Sequence, residues 1–298
     1  MKLTRKSFPL TGAFFWSHES QPPTHRELLE VFQNAGMGAA QVGEPFVDQL
    51  AESDSFRAQF LNDFAEAGVQ VVGLAAYRNI TSADSKKRRE NVDYVKRALA
   101  LAPELGTFAV ATETGTFNKD SDWAPSPENR TPKAWAAFLE STEELLTAAE
   151  ASGAILAYEG YVNNIMGTLD QVTSVFEEFP SRHLGLMLDP YNYITRDLLP
   201  VADLIAEEFF ERFTDRFVIA HLKDVAPLGA DGVADEEDVD RADLVGTPEF
   251  CTGVFPQQPY MRFLRDRRPD LPVIFEHLPT ENLPAALRRL QALTGKLS

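Results

Sequence analysis

The run that decides the fold is AILAYE at residues 154–159, a short apolar stretch that ends in a carboxylate. A long amphipathic segment precedes it at 131–151, and another follows at 169–179. A short apolar run between two amphipathic segments is typical of a buried strand in a β–α–β unit, where successive strands are parallel. The same alternation extends outward from residue 154 in both directions along the chain.

Eight strand candidates follow one another, each separated from the next by a helix candidate. We predict strands at Leu10–Trp16, Ala39–Gly43, Val69–Tyr77, Thr107–Thr112, Ala154–Glu159, Leu184–Asp189, Phe217–Lys223 and Val273–Leu278. We predict helices at Thr24–Ala35, Ser53–Ala67, Ala83–Leu101, Thr131–Ala151, Leu169–Phe179, Leu198–Phe213, Pro259–Arg268 and Glu281–Leu293. Capping boxes at 24–27 and 168–171 mark two helix starts, and glycines mark four helix ends, namely Gly36, Gly68, Gly106 and Gly153.

Eight strand–helix repeats predict a (β/α)8 barrel, the TIM barrel, forming a single domain over residues 1–298. Closing the sheet leaves no strand edge exposed. An open, doubly wound sheet is the alternative, and it normally carries a glycine-rich phosphate loop after its first strand. Residues 16–20 read WSHES at that place, without the G-x-G-x-x-G pattern, which favours the barrel.

The composition is that of a globular protein with a strongly acidic surface. Apolar residues make up 44% of the 298 residues, and the formal net charge is −17. Such a surface repels phosphate backbones and anionic lipids, which argues against nucleic-acid and membrane partners. Cys251 is the single cysteine, so intrachain disulfides and thiolate zinc clusters are excluded. Since the sequence has no apolar leader and no run of membrane-spanning length, we expect a cytoplasmic protein.

Four consecutive strand candidates end in ionisable side chains: Glu159, Asp189, His221 and Glu276. Neighbouring strands lie about 4.8 Å apart, and barrels of this kind project functional groups from their C-terminal strand ends. Three carboxylates brought so close repel one another unless a positive charge lies between them. One divalent cation would supply that charge, and the donor set suits Mn²⁺, Co²⁺, Mg²⁺ or Zn²⁺. Alternation along the last strand directs His277 to the face opposite Glu276.

Four short segments carry a resemblance to a known family: YEG at 158–160, MLDP at 187–190, AHLKD at 220–224 and FEH at 275–277. With the order and spacing of all eight units, they resemble the sugar isomerase/epimerase group of xylose-isomerase-like barrels. The resemblance implies that one Mn²⁺-type ion is bound by Glu159, Asp189, His221 and Glu276. It also implies that the two glutamates are the acid and base that move protons on a sugar.

The sequence departs from the ketose 3-epimerases of that group at two places. Those enzymes have a second histidine after the strand-six aspartate, where this chain reads Pro190-Tyr191-Asn192. They have Glu and Arg after the strand-seven histidine, where this chain reads LKD at 222–224. The His-x-Lys-Asp form looks more like the group's inositol-ketone dehydratases. The reaction therefore stays open between isomerase or epimerase and dehydratase or lyase.

Five further residues near the predicted strand ends are candidates for contact with a substrate. Lys223, two residues past the strand-seven histidine, either stabilises an enediolate by its charge or pairs with a carboxylate of the barrel mouth. Glu113 either hydrogen-bonds sugar hydroxyls or belongs to a buried structural pair. Trp16 and Tyr77 offer aromatic faces of the kind that line sugar sites, with core packing as the alternative. Asn192, past the strand-six aspartate, is a candidate for substrate binding.

A long irregular stretch from Val225 to Gln258 is expected to form a solvated loop near the barrel mouth. It carries an acidic cluster, but the DGVAD sequence at 231–235 lacks the ligand order and glycine position of an EF-hand. The cluster comprises Asp235, Glu236, Glu237, Asp238 and Asp240.

The pattern as a whole favours a metal-dependent isomerase or epimerase acting on a small, unphosphorylated sugar or polyol ketone. A dehydratase of the inosose type, or a C-glycoside lyase subunit with a partner chain, would use the same site. A metal-dependent nuclease is disfavoured by five histidines and the −17 charge. A non-catalytic sugar-binding protein is a further alternative for the function. The oligomeric state stays open, with a homo-oligomer as one alternative.

Overall fold

Eight parallel strands close into a barrel in the computed structural model, which describes residues 10–17, 22–227 and 245–295. The sheet follows sequence order, and the first strand pairs with the last to close the ring. The predicted (β/α)8 barrel is therefore confirmed. The strands are β1 (Thr11–Phe15), β2 (Ala39–Val42), β3 (Gln70–Ala75), β4 (Ala109–Glu113), β5 (Ile155–Glu159), β6 (Leu184–Leu188), β7 (Phe217–Leu222) and β8 (Val273–Phe275).

Helices lie between the strands, and none of those described is long and apolar enough to cross a membrane. Thr24 and Glu27 form the predicted capping box at the first helix. The four glycines predicted to end helices all have φ between 69° and 78°, the left-handed conformation that a C-terminal cap requires. The helices are α1 (His25–Ala35), α2 (Phe46–Glu52), α3 (Asp54–Ala67), α4 (Ser85–Leu101), α5 (Pro132–Ser152), α6 (Leu169–Glu178), α7 (Ala202–Phe213), α8 (Gln257–Asp266) and α9 (Leu283–Gly295).

The barrel interior is filled by a layer of small and medium side chains, below the ionisable residues at the mouth. Phe14, Met187, Ile219 and Ile274 meet there with alanines from four strands. A Cβ added to Gly73 would lie 2.6 Å from the Cδ1 atom of Ile219, so a side chain at this point of β3 would have to displace Ile219. A larger core lies between the strands and the helices and is rich in phenylalanine.

Two helical segments differ from the prediction. Helix α2 was not predicted; it follows Pro45 and buries Phe46, Val47 and Leu50 against the barrel. The helix predicted from Leu198 begins as α7 only at Ala202, because Pro200 lies in the preceding 3₁₀ turn at 196–201. Proline cannot donate the backbone hydrogen bond that a regular helix needs at that position.

The ends of the predicted mouth loop are held together by Asp224. Its carboxylate accepts hydrogen bonds from the backbone amides of Val225 at 2.8 Å, Gly253 at 3.0 Å and Phe255 at 3.0 Å. Ala226–Pro227 and Val245–Gly246 form a two-residue antiparallel pair next to this contact. Residues 228–244, with the acidic cluster at 235–240, lie outside the described residues.

Candidate metal centre and active site

The four predicted ligands meet at the C-terminal end of the barrel. Glu159 is the last residue of β5, His221 lies in β7, and Asp189 and Glu276 directly follow β6 and β8. One ligand atom from each of the four lies within 4.8 Å of the others. All four side chains are buried, with at most 8% of any residue exposed. Adjacent parallel strands thus bring together residues that are far apart in sequence.

His221 faces all three carboxylates through one ring nitrogen. Its Nδ1 atom lies 3.5 Å from Oε2 of Glu159, 3.5 Å from Oδ2 of Asp189 and 3.5 Å from Oε2 of Glu276. Its Nε2 atom lies 2.9 Å from Oε1 of Gln41. Since an amide oxygen only accepts hydrogen bonds, the ring donates through Nε2 and directs Nδ1 to the acidic group.

The geometry and the chemistry of this cluster fit a divalent metal ion. Nδ1 of His221 and Oδ1 of Asp189 are buried and have no hydrogen-bond partner within residues 10–17, 22–227 and 245–295. Ligands about 2.1 Å from a shared ion at a tetrahedral angle would lie about 3.4 Å apart, close to the 3.5 Å separations found here. Three oxygens and one imidazole are donors that Mg²⁺, Mn²⁺ and Zn²⁺ accept.

Mutual charge changes the proton affinity of each member of the cluster. Burial opposes the imidazolium form, but Glu159 and Glu276 outweigh it and raise the pKa of His221 well above its usual value. Burial and the charge of Glu276 raise the pKa of Glu159. Burial alone would also raise the pKa of Glu276, but Lys223 and His221 hold it well below its usual range. The two glutamates are therefore electrostatically unequal.

Lys223 is a buried cation at the edge of the cluster. Its ammonium lies 2.8 Å from Oδ2 of Asp189 and donates to Oε2 of Glu276 at 2.7 Å. It also donates to Oδ1 of Asn192 at 2.8 Å, and the amide of Asn192 donates to Oε1 of Glu159 at 2.8 Å. Burial disfavours the ammonium, but the carboxylates outweigh it and raise the pKa of Lys223. Lys223 and Asn192 thus join three of the predicted ligands.

Tyr77 and Trp16 lie just beyond the ends of β3 and β1. The phenol of Tyr77 donates a short hydrogen bond to Oε2 of Glu159. Trp16 packs on Phe14, with ring centroids 4.9 Å apart, and Phe14 in turn lies 5.3 Å from the ring of His221. Of the two predicted aromatic residues, Tyr77 therefore contacts the cluster directly, and Trp16 packs on Phe14, which neighbours it.

Glu113, the last residue of β4, is the register partner of Glu159 on β5. Its Oε2 atom accepts a hydrogen bond of 2.7 Å from the side-chain amide of Asn164. Burial, with the charges of Glu159 and Glu276, raises the pKa of Glu113 well above its usual value despite that hydrogen bond. Glu113 therefore adds a carboxyl group of raised pKa beside the cluster.

Three contacts at the site were not predicted from the sequence. Gln41 is a polar residue inside the otherwise apolar strand β2, and that position was its only sequence signal. Asn164 lies in the loop after β5, where asparagine is common and gives no signal. His277 was predicted to lie away from Glu276, but β8 ends at Phe275 and His277 has φ 49°. Its Nε2 atom consequently lies 3.6 Å from Oε1 of Glu276.

A cavity of about 930 Å³ lies at the opposite end of the barrel. It is bounded by residues at the starts of the strands, including Gln70 of β3, Ile155 of β5 and Phe217 of β7. It does not include any of the four cluster residues. Barrels of this type carry their functional groups at the other end, which is where the cluster lies.

A closed eight-stranded parallel barrel with helices between its strands defines the class of TIM barrels, and among the described residues a buried carboxylate–histidine cluster lies at its C-terminal end. The chain matches the family model described as xylose isomerase-like TIM barrel over residues 29–293, and it belongs to that family. The family resemblance noted in the sequence is thereby confirmed. No curated protein gives a significant match.

Solved structures with this fold include enzymes with different named activities. The probable 3-DHS dehydratase of Bacillus anthracis is 13% identical with a TM-score of 0.73, over 94% of this chain and 98% of that one. A xylose isomerase-like TIM barrel protein of Mycobacterium smegmatis, in complex with magnesium, is 18% identical with a TM-score of 0.68, over 98% of each chain. D-Psicose 3-epimerase of Clostridium cellulolyticum, with D-tagatose, is 15% identical with a TM-score of 0.64, over 95% and 99%. At these identities the likeness establishes the fold alone.

Proposed function

We propose that this chain is a divalent-metal-dependent isomerase or epimerase that acts on a small sugar or polyol ketone by proton transfer through an enediolate. The observation that carries the proposal is the buried cluster of Glu159, Asp189, His221 and Glu276, whose ligand atoms lie within 4.8 Å of one another. Burying three carboxylates together is costly, and a cation bound among them would offset that cost together with Lys223. Membership of a family whose solved relatives include a sugar epimerase supports the same class of reaction.

The four cluster residues would hold the ion, and Mn²⁺ is our proposal for its identity. When bound, a divalent ion polarises neighbouring substrate oxygens and makes the adjacent C–H group more acidic. Glu159 and Glu276 are the two candidates for the acid and base that move that proton. The ammonium of Lys223, 2.7 Å from Glu276, is placed to stabilise negative charge on the substrate. We assign substrate contact to four surrounding residues: Trp16, Tyr77, Glu113 and Asn192.

The test is solvent hydrogen exchange. Protein loaded with Mn²⁺ is incubated with a panel of ketoses, aldoses and inososes in D₂O, and the products are read by NMR. We expect deuterium at the carbon next to the carbonyl, and a loss of about 10²-fold or more in Glu276→Gln. Glu207→Gln, an exposed glutamate on α7, is the matched control and should behave as wild type. Wild-type protein that exchanges no member of the panel would contradict the proposal.

A dehydratase or other lyase is the second candidate. It is favoured by the His-x-Lys-Asp form at residues 221–224, which resembles the group's inositol-ketone dehydratases, and by the likeness in fold to a probable dehydratase. If a hydroxyl lies β to the carbon that loses its proton, the same enediolate expels water. NMR of the same panel separates the two, because dehydration yields a product that lacks one hydroxyl. For a C-glycoside lyase subunit we would expect a partner chain to co-purify.

Three broader points complete the proposal. We propose one cooperative domain over residues 1–298, a cytoplasmic location, and a small-molecule sugar or polyol as the partner rather than nucleic acid or membrane. A single unfolding transition by calorimetry would support the first point. Two separate transitions would contradict it.

A further inference from the structure

The two glutamates of the cluster differ in how many of their carboxylate oxygens are held. Both oxygens of Glu159 accept hydrogen bonds: Oε1 from the amide of Asn192 at 2.8 Å, and Oε2 from the phenol of Tyr77. Glu276 accepts a hydrogen bond at Oε2, from Lys223 at 2.7 Å. Its Oε1 atom accepts none from any residue that the structure describes.

The groups that hold Glu159 are themselves fixed. Asn192 lies in the 3₁₀ turn Pro190–Tyr193, and its side-chain oxygen accepts from Lys223. The backbone carbonyl of Tyr77 accepts a hydrogen bond of 2.7 Å from Arg78, whose guanidinium stacks 3.7 Å above the ring of Tyr94. Freeing Glu159 would therefore break its hydrogen bonds to Asn192 and Tyr77, two residues that are themselves held by neighbouring contacts.

The second carboxylate oxygen of Glu276, Oε1, lies beside His277. The Nε2 atom of the His277 ring is 3.6 Å from this oxygen, beyond hydrogen-bond distance. The side chain of His277 is 46% exposed, so Oε1 of Glu276 is next to the solvent-facing side of the mouth. Within residues 10–17, 22–227 and 245–295, this oxygen has no hydrogen-bond donor, so its lone pairs are available for a substrate proton.

We propose that Glu276 alone moves the carbon-bound proton, while Tyr77 and Asn192 hold Glu159 as a fixed ligand. This inference rests on the proposed function and states which of its reactions the site allows. A single base works on one face of the substrate, which allows aldose–ketose isomerisation or elimination of water but not inversion of the exchanging carbon. Epimerisation needs a second acid on the opposite face, and Glu159 is engaged at both oxygens.

The proton and electron balance is the same for both allowed reactions up to the enediolate. Oε1 of Glu276 takes the proton from the carbon next to the carbonyl, the C–H electron pair forms the carbon–carbon double bond, and the carbonyl π pair moves to oxygen. In isomerisation, Glu276 returns its proton to the former carbonyl carbon, and the hydroxyl proton passes to the neighbouring oxygen. In elimination, the carbonyl re-forms from the enediolate oxygen, and the enediolate carbon–carbon pair becomes a double bond to the β carbon. The β C–O bond breaks, and Glu276 gives its proton to the departing hydroxyl, which leaves as water.

The stereochemistry of exchange tests this division of roles. Wild-type, Mn²⁺-loaded protein is incubated in D₂O with the ketose, aldose and inosose panel, and NMR assigns the configuration at each deuterated carbon. We expect either isomerised product with deuterium in one configuration or dehydrated product, and in neither case product inverted at the exchanging carbon. Inverted product from the wild type would overturn this inference while leaving the proposed function in place. Absence of any exchange would instead contradict the proposed function, and with it this inference.

Variants of the two glutamates distinguish a role in proton transfer from a role in metal binding. At saturating Mn²⁺ we expect Glu276→Gln to lose about 10²-fold or more of the exchange rate and Glu159→Gln about 10-fold or less. Calorimetric titration with Mn²⁺ should show weaker binding for both, since both are ligands. Equal losses of exchange rate in Glu276→Gln and Glu159→Gln would overturn the single-base assignment.

The Tyr77→Phe/Asn192→Ala double variant removes both hydrogen bonds to Glu159 and so frees its carboxylate. Product inverted at the exchanging carbon should then form. If it does not, the holding role of Tyr77 and Asn192 is wrong.

Matched controls exist for both changes in that double variant. Tyr94→Phe removes a phenol hydroxyl that contacts none of the cluster residues, and Asn62→Ala removes an exposed amide that bonds Glu66 on α3. The double control should keep the wild-type stereochemistry. Inverted product from the control would mean that general loosening of the barrel, rather than release of Glu159, changes the outcome, and would overturn the proposal.

Discussion

The Nε2 atom of His221 on β7 lies 2.9 Å from the Oε1 atom of Gln41 on β2, across the interior of the barrel. The two strands are separated in the sheet by β8 and β1. This hydrogen bond fixes the orientation of the ring and leaves Nδ1 facing the three carboxylates. Gln41 therefore determines which nitrogen of His221 is offered to an ion.

Replacing Gln41 by methionine should weaken metal binding without changing the ligand set. Methionine keeps the length of the side chain but removes the acceptor that orients His221, a loss that typically lowers metal affinity about 10- to 100-fold. Calorimetric titration with Mn²⁺ measures the change. Gln70→Met, at the exposed start of β3, is the control and should titrate as wild type. Equal affinities for the two variants would show that Gln41 does not position the ligand.

Loss of a ligand should lower the amount of metal that the protein retains. Elemental analysis of protein purified without chelator should find about one divalent ion per chain, as a single four-ligand site implies. Asp189→Ala and His221→Ala should each reduce that occupancy sharply, because each removes one of four donors. Asp203→Ala, an exposed aspartate on α7, should retain it. Full occupancy in both ligand variants would place the ion elsewhere.

The four cluster residues could be predicted because their signal is local. Glu159, Asp189, His221 and Glu276 each end or closely follow a short apolar run, and strand alternation together with barrel closure brings such positions to one end. The C-terminal glycine caps were predictable for the same reason. A left-handed conformation at a helix end is a property of one residue and its neighbours.

The remaining features depend on contacts between distant segments. Nothing near Gln41 in the sequence indicates His221, 180 residues away, because their contact depends on how the barrel closes. The bond from Asn164 to Glu113 likewise joins the loop after β5 to the end of β4. Strand alternation failed for His277, since a residue with φ 49° no longer follows the strand's period of two.

Asp224 should matter for stability rather than for metal binding. Its carboxylate accepts three backbone hydrogen bonds that join residue 225 to residues 253 and 255. Asp224→Ala leaves three amides without that partner, and we expect the free energy of unfolding to fall by about 2–4 kcal/mol. Urea unfolding measures this, with Asp203→Ala as the exposed control. An unchanged urea midpoint would show that the three hydrogen bonds accepted by Asp224 contribute little to stability.

Metal binding should depend on pH through His221. In the metal-free fold, Glu159 and Glu276 outweigh burial and raise the pKa of His221 well above its usual value. A protonated ring cannot bind an ion, so below that pKa each ion bound displaces a proton. The apparent affinity should then fall about tenfold for each pH unit lowered. Mn²⁺ titrations in two buffers of different ionisation enthalpy count the protons released. The same dependence of the apparent affinity on pH should persist in His277→Asn, which removes the neighbouring titratable ring.

The same raised pKa predicts how the metal-free protein responds to pH. The protonated ring of His221 stabilises the fold fully below the unfolded-state pKa of about 6.5, and this contribution is lost as the pH rises through the higher folded-state pKa. Unfolding temperatures of the metal-free protein should therefore fall as pH rises above neutral, because the carboxylates lose their positive partner. Bound Mn²⁺ replaces that partner, so the loaded protein should show a smaller decrease. A metal-free protein whose stability increases over this range would show that His221 is not the proton carrier of the cluster.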